Sequence, residues 1–253
     1  MPPLQPKIEE LTVYRTARSE GDYQILLVHG ALDRAAGLIR VARRLRPHQV
    51  VRYDRRGYGR SENATPTTSF SQQVDDLNAV VGDRPTVVFG HSYGGVIALA
   101  SATQGNPALK AVATFEAPRA WEDWWPAPPP KDTDPADAAE HFLRRVIGDE
   151  RWDGLPELVR KRRRAEGPLM VEELQAQSER RYDARAINIP LVVGVGEQSG
   201  AHAQRAASCT AEEAQRSRLV TIAGAGHAAP TTHPDAIADL VRHAITDAEI
   251  TNQ

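Results

Sequence analysis

The sequence has a single cysteine, Cys209, in 253 residues. No intrachain disulfide can form, which suits a reducing compartment. There is also little imbalance of charge. The 31 Lys and Arg against 33 Asp and Glu leave a formal −2, which gives no reason to expect nucleic acid or an acidic membrane as partner. No apolar run approaches the length of a membrane span, and the opening MPPLQPKIEE lacks the apolar segment of a secretory signal. The expectation is a soluble, cytoplasmic protein. The glycines of Gly57-Tyr58-Gly59-Arg60-Ser61 lack the spacing and the lysine of a phosphate cradle. His48, His141, His202, His233 and His243 share no spacing with carboxylates or Cys209, so no metal site is expected.

What the chain does have is concentrated in Thr86 to Leu99, TVVFGHSYGGVIAL. A β-branched, apolar run (Thr86 to Phe89) reads as a buried strand. Gly90-His91-Ser92-Tyr93-Gly94 follows, and Val96 to Thr103 reads as an amphipathic helix of small residues. Strand, G-x-S-x-G and helix in that order make a nucleophile elbow. Gly90 and Gly94 lack side chains so that strand and helix can approach, and the sharp turn lifts the Ser92 hydroxyl above the sheet. The plain alternative is a tight-turn serine, against which the flanking strand and helix argue.

Around this stretch, apolar runs alternate with helical periodicity. Strands are expected at 8–15, 24–28, 49–53, 110–115, 190–195 and 218–222. Helices are expected at 35–45, 69–81, 202–215 and 234–246. The pattern predicts an α/β fold with a mostly parallel central sheet and helices on both faces. Such sheets place chemistry beyond the carboxyl ends of their strands. His29, Asp54, Ser92, Glu116, Glu197 and His227 all follow strands and so collect at that edge. From 117 to 188 the alternation stops, giving an insertion between core segments 1–116 and 189–253. The insertion holds Trp121, Trp124 and Trp125, a stiff Pro126 to Pro130 stretch, and polar helical runs at 135–147, 155–164 and 168–182.

Four motifs taken in order, LLVHGA (26–31), YDRRGYGRS (53–61), GHSYGG (90–95) and GAGHAAP (224–230), resemble those of the α/β-hydrolase family. The resemblance implies Ser92 as nucleophile and His227 as general base, with the backbone N–H groups of Ala31 and Tyr93 as oxyanion-hole donors. It assigns Asp54 and Gly57 to Gly59 a structural loop, and the insertion the place of a helical cap. His29 and His91 flank the site and are expected to support it through hydrogen bonds. Only one strand precedes Gln24 where the full family fold has two, so the sheet is expected to be a strand short.

The chain departs from the family at the acid. The usual position, two residues beyond a Gly-Glu pair, is Ser199 in Gly196-Glu197-Gln198-Ser199. Two carboxylates are open: Glu197 in the same loop, and Glu116 at the end of the preceding strand, where some family members take their acid. Glu116 is favoured, and a site without an acid remains a third possibility. A carboxylate within reach of the imidazole's far nitrogen is the physical requirement.

The three tryptophans are candidates for an apolar substrate pocket. They serve equally well to glue the insertion to the core. Arg160 to Arg164 is bracketed by Glu157 and Glu166 and reads as a solvated helix face rather than a nucleic-acid patch, and basic insertion helices are also compatible with a substrate carboxylate. The resemblance therefore implies a hydrolase without a cofactor, acting through an acyl-enzyme on a carboxylic ester or related acyl bond of a small, largely apolar molecule. A carboxylate nucleophile, as epoxide and haloalkane chemistry needs, is absent at position 92. A cofactor-free lyase or cyclase, a C–C hydrolase, or a ligand-binding protein without turnover stay open as alternatives.

Overall fold

Fully buried apolar runs become the centre of a seven-stranded sheet in the computed structural model, which describes residues 10–17, 22–62, 69–130 and 132–251. The strands are β1 (Val13–Arg15), β2 (Gln24–Val28), β3 (Gln49–Tyr53), β4 (Thr86–His91), β5 (Leu109–Phe115), β6 (Leu191–Gly196) and β7 (Ser217–Ile222). Their order is β1-β3-β2-β4-β5-β6-β7, with only β1 antiparallel. Among the described residues one strand precedes β2, as expected. Residues 8 and 9 of the expected first strand lie outside the described residues.

Ten helices are described: α1 (Ile39–Arg44), α2 (Phe70–Val81), α3 (Tyr93–Thr103), α4 (Pro135–Ile147), α5 (Asp149–Asp153), α6 (Glu157–Ala165), α7 (Gly167–Ala176), α8 (Ala201–Glu213), α9 (Ala229–Thr232) and α10 (Pro234–Thr251). Strand side chains alternate between two cores. Leu26, Val28, Val51 and Val88 pack with α2, α3 and α8 on one face, while Ile25, Leu27, Val87 and Phe89 pack with α1 and α10 on the other. No helix among the described residues is long and apolar enough to cross a membrane.

Three local expectations change. The helix after Ser92 is not amphipathic, because every residue from Tyr93 to Ala102 is buried. A helix apolar all round belongs inside a core. The expected helix 155–164 begins two residues later, after Pro156, as α6, and a short helix that periodicity did not mark, α5, precedes it. The expected helix 168–182 ends at Ala176, since the polar segment that follows, Gln177-Ser178-Glu179-Arg180-Arg181, has no apolar face to bury. Helices α4 to α7 lie between β5 and β6, and α4, α5 and α7 share a small core of Ala138, Leu143, Trp152 and Met170. Leu32 and Tyr58, from the loops after β2 and β3, complete that core.

Candidate active site

Parallel pairing in register brings the strand ends together. His91 sits opposite Phe115, and Val28 opposite Gly90. Ser92 follows at φ 52° and ψ −123°, a backbone region that side chains disfavour. The sheet and helix hold it there. The Ser92 N–H donates to Phe115 O at 2.9 Å, and Ser92 O accepts from Gly95 N at 2.8 Å. The close approaches expected of the glycines are present. A Cβ on Gly90 would stand 2.4 Å from Gly94 O, and one on Gly94 would stand 2.5 Å from Val28 O, so Gly94 admits β2 rather than β4.

Glu116 follows β5 at φ 51°, with its N–H on Gly194 O at 3.0 Å. Its carboxylate Oε2 lies 2.7 Å from Nδ1 of His227. Its Oε1 accepts from Gly196 N at 3.2 Å and from the Ser199 hydroxyl. Burial alone would raise the Glu116 carboxyl. The hydrogen bond and charge of His227, then the Ser199 hydroxyl, outweigh it and hold the group below its ordinary value. The other candidate acid faces away: Glu197 is exposed, with Oε2 on Gly224 N at 2.8 Å.

His91 reaches behind the imidazole, with its Nε2 3.0 Å from His227 O and the ring centroids 4.8 Å apart. A carbonyl can only accept, so the His91 proton is on Nε2. Burial, reinforced by His227, pushes His91 down to about 3, and the ring is neutral. Asp54 has its carboxylate taken by Ala35 N at 2.8 Å and Arg60 N at 2.9 Å, and Tyr14 donates to it at 3.1 Å. These bonds tie the turn after β3 to Ala35 and to β1.

Ser92, His227, Glu116, Ala31 and Tyr93 all line one cavity of about 960 Å³. Tyr93 is the first residue of α3, so its N–H has no partner within the helix. Trp125, Phe142 and Arg145 of the insertion also line it, with His202 of α8. Trp121 and Trp124 are not among the lining residues, which corrects the reading of all three tryptophans as pocket residues. Trp121 packs on the main core with its ring edge-on to Tyr182 and its indole N–H on Glu122 at 3.1 Å. Trp124 lies under the Arg205 guanidinium, 4.6 Å from the ring centroid. Both side chains are occupied by protein contacts.

The sequence model of the alpha/beta hydrolase family matches residues 25–240. The chain belongs to this family. Among curated proteins it is similar to lipase LipV of Mycobacterium tuberculosis, 36% identical over 95 residues, and the match spans 36% of each chain. Only about a third of that relative's length is therefore covered. Among solved structures it is similar to an alpha/beta hydrolase from Sphaerobacter thermophilus, at 27% identity and TM-score 0.65, covering 91% of this chain and 95% of that one. MGS-M2, an alpha/beta hydrolase enzyme from a Medee basin deep-sea metagenome library, shares the fold at TM-score 0.75 and 17% identity, with 93% and 94% covered.

Two features of this family member escaped sequence reading. Ser199, read from the sequence only as a position without a carboxylate, donates to the Glu116 carboxylate. Arg55, within the YDRRGYGRS motif, is wholly buried beneath the site. A charged side chain beside a predicted buried strand end was the available signal, but its partners come from distant segments.

Proposed function

We propose that the chain is a serine hydrolase that needs no cofactor and cleaves a carboxylic ester or related acyl bond of a small, largely apolar molecule. The observation that carries this reading is the Glu116–His227 hydrogen bond of 2.7 Å at the base of a cavity that Ser92 also lines. In this reading the Ser92 hydroxyl attacks the carbonyl carbon while His227 Nε2 takes its proton. Ala31 and Tyr93 N–H groups hold the oxyanion, a contribution of about 3 kcal/mol per donor. Collapse returns the proton to the leaving alcohol, and water then repeats the sequence to release the acid. Glu116 keeps the proton of the resting imidazole on Nδ1 and stabilises the imidazolium. Residues 117–188 act as the cap, contributing Trp125 and Phe142 to the apolar wall.

One feature narrows the substrate. Of the three side chains with formal charge that line the cavity, Glu116 is paired with His227 and Asp137 with Arg164. Arg145 has no ion-pair partner among the described residues. Its charge helps push His202 down, after burial, which places the two near each other. Esters whose far end carries a carboxylate are the favoured subclass.

The test is labelling with a fluorophosphonate, peptide mapping, and a panel of p-nitrophenyl esters of graded chain length, with and without a terminal carboxylate. Labelling on Ser92 and turnover lost in Ser92→Ala are expected. An unlabelled Ser92 with turnover intact would favour the lyase reading, and ligand-induced stabilisation without product would favour a binding protein.

A further inference from the structure

The loop that carries Ala31 is gripped through its carbonyls. Arg55 Nη2 donates to Gly30 O at 3.0 Å, and Arg55 Nε donates to His29 O at 3.0 Å. The His29 ring assists from the same side. Its Nδ1 is 2.8 Å from Gly30 O, and its Nε2 is 2.9 Å from the Arg55 backbone nitrogen. A backbone N–H only donates, so Nε2 is the bare nitrogen and Nδ1 carries the proton.

The Gly30 carbonyl and the Ala31 N–H belong to one planar trans peptide, so they point in opposite directions. Holding the oxygen fixes the direction of the hydrogen. Donation to the oxygen also polarises the amide and strengthens the N–H as a donor. The orientation of the N–H of Ala31, a residue that lines the cavity, is therefore set by Arg55 and His29 through the Gly30 carbonyl.

The far side of the guanidinium is held by the insertion. Nη1 and Nη2 donate to Glu173 Oε1 and Oε2 at 2.5 and 3.1 Å, and Nη1 also donates to Gln73 Oε1 at 3.2 Å. With the two loop carbonyls, all five N–H donors of the group are used. The ring centroids of Tyr58 and Tyr93 each lie 4.9 Å from its central carbon. Glu173, on α7, also accepts from Tyr58 OH at 2.8 Å. Side-chain exposure is 0% for Arg55 and 1% for Glu173. A buried ion pair is weak evidence for stability, because desolvation consumes most of its attraction. Its value here lies in geometry: a planar fork joins the insertion to the peptide behind the nucleophile.

We propose that Arg55 is a positioning residue that aims the Ala31 N–H at the reacting carbonyl oxygen, and that Glu173 makes this aim depend on the insertion being seated. The proposal rests on the serine-hydrolase reading above. It adds that the insertion does more than wall the cavity, because its docking completes the oxyanion hole.

The experiment compares wild type with Arg55→Lys, Glu173→Gln and the double variant Arg55→Met/Glu173→Leu, which leaves no buried charge unpaired. Each is assayed for p-nitrophenyl butyrate turnover, affinity for butyl boronic acid, which mimics the tetrahedral adduct, and affinity for butyrate, which does not. Arg56→Met/Asp76→Leu, at a second buried ion pair, is the control for general loosening. Loss of turnover in Ser92→Ala first secures the underlying reading. The Arg55 variants are expected to lose about ten- to a hundredfold in kcat and in boronate affinity, with KM and butyrate affinity unchanged within about twofold and the control variant unaffected. Glu173→Gln should show the same split at smaller size. Arg55→Lys and Glu173→Gln decide the matter if the double variant does not fold. Wild-type kcat in folded Arg55 variants would overturn the positioning role, as would a loss shared equally by boronate and butyrate. Wild-type behaviour of Glu173→Gln would sever the link to the insertion. If wild type has no turnover that depends on Ser92, the underlying reading fails, and this proposal with it.

Discussion

Glu116 and His227 are separated by 111 residues and meet at 2.7 Å, carboxylate Oε2 to imidazole Nδ1. The contact favours Glu116 over Glu197 as the acid of the proposed site. Glu116→Gln should lower kcat on an activated ester by about three to four orders of magnitude, the cost of holding the imidazole in the wrong tautomer. Glu197→Gln should stay near wild type in the same assay, since that side chain is exposed and bonds Gly224 N. The reverse ranking would move the acid to the loop after β6.

Ser199 sets how far into acid the pair works. Its hydroxyl donates to Glu116 and favours the charged carboxylate, which stands below its ordinary value. For a carboxylate held low, the benefit is present above the ordinary range and lost as pH falls through the lowered value. Ser199→Ala removes one of the causes, so the acid limb of the kcat/KM profile should move toward higher pH. At pH 8 the variant should keep most of its activity. A profile unchanged in position would mean that the hydroxyl does not stabilise the charge.

His91 makes folding sensitive to acid. Its folded-state value of about 3 lies below the ordinary 6.5, so the unfolded chain binds a proton first as pH falls. Stability is full above pH 6.5 and declines toward pH 3. The total is on the order of 4–5 kcal/mol, with about 2 kcal/mol appearing between pH 6.5 and 5. Urea unfolding of wild type and His91→Gln at pH 7 and pH 5 should show a shallower pH dependence in the variant. Equal dependence would place the titration elsewhere.

The tryptophans should separate by phenotype. Trp125→Ala opens the cavity wall and should shift the preferred acyl chain length and raise KM, with little change in melting temperature. Trp121→Ala removes a side chain packed on the main core and should cost about 2–3 kcal/mol of stability, with the chain-length preference retained. Chain-length assays and thermal melts on both variants distinguish the roles.

The elbow was legible because it is local: a buried strand, a glycine-flanked serine and a helix lie within fourteen residues, and each constrains the next. The sheet was legible because buried parallel strands are short unbroken apolar runs. Glu116 could be reached by asking which strand ends carry a carboxylate. The insertion was less legible. Its helix ends depend on which residues find an apolar surface to cover, and Pro156 moves the start of α6 past where periodicity puts it. The Arg55–Glu173 pair spans 118 residues and has no local signature at all, since neither side chain is buried until the loops after β2 and β3 meet α7. Trp121 and Trp125 differ by four positions and look alike in composition. Only packing assigns one to the core and the other to the cavity.

Ser92 and Glu116 both occupy a backbone basin that an isolated peptide avoids, at φ 52° and 51°, and each is kept there by bonds to the neighbouring strand. A nascent or partly refolded chain has no such neighbours, so both residues relax to ordinary conformations and the hydroxyl is an ordinary alcohol. In the proposed mechanism, reactivity therefore requires β4, β5 and β6 to be paired. Regain of activity after denaturation would then report on completed assembly of the sheet rather than on collapse.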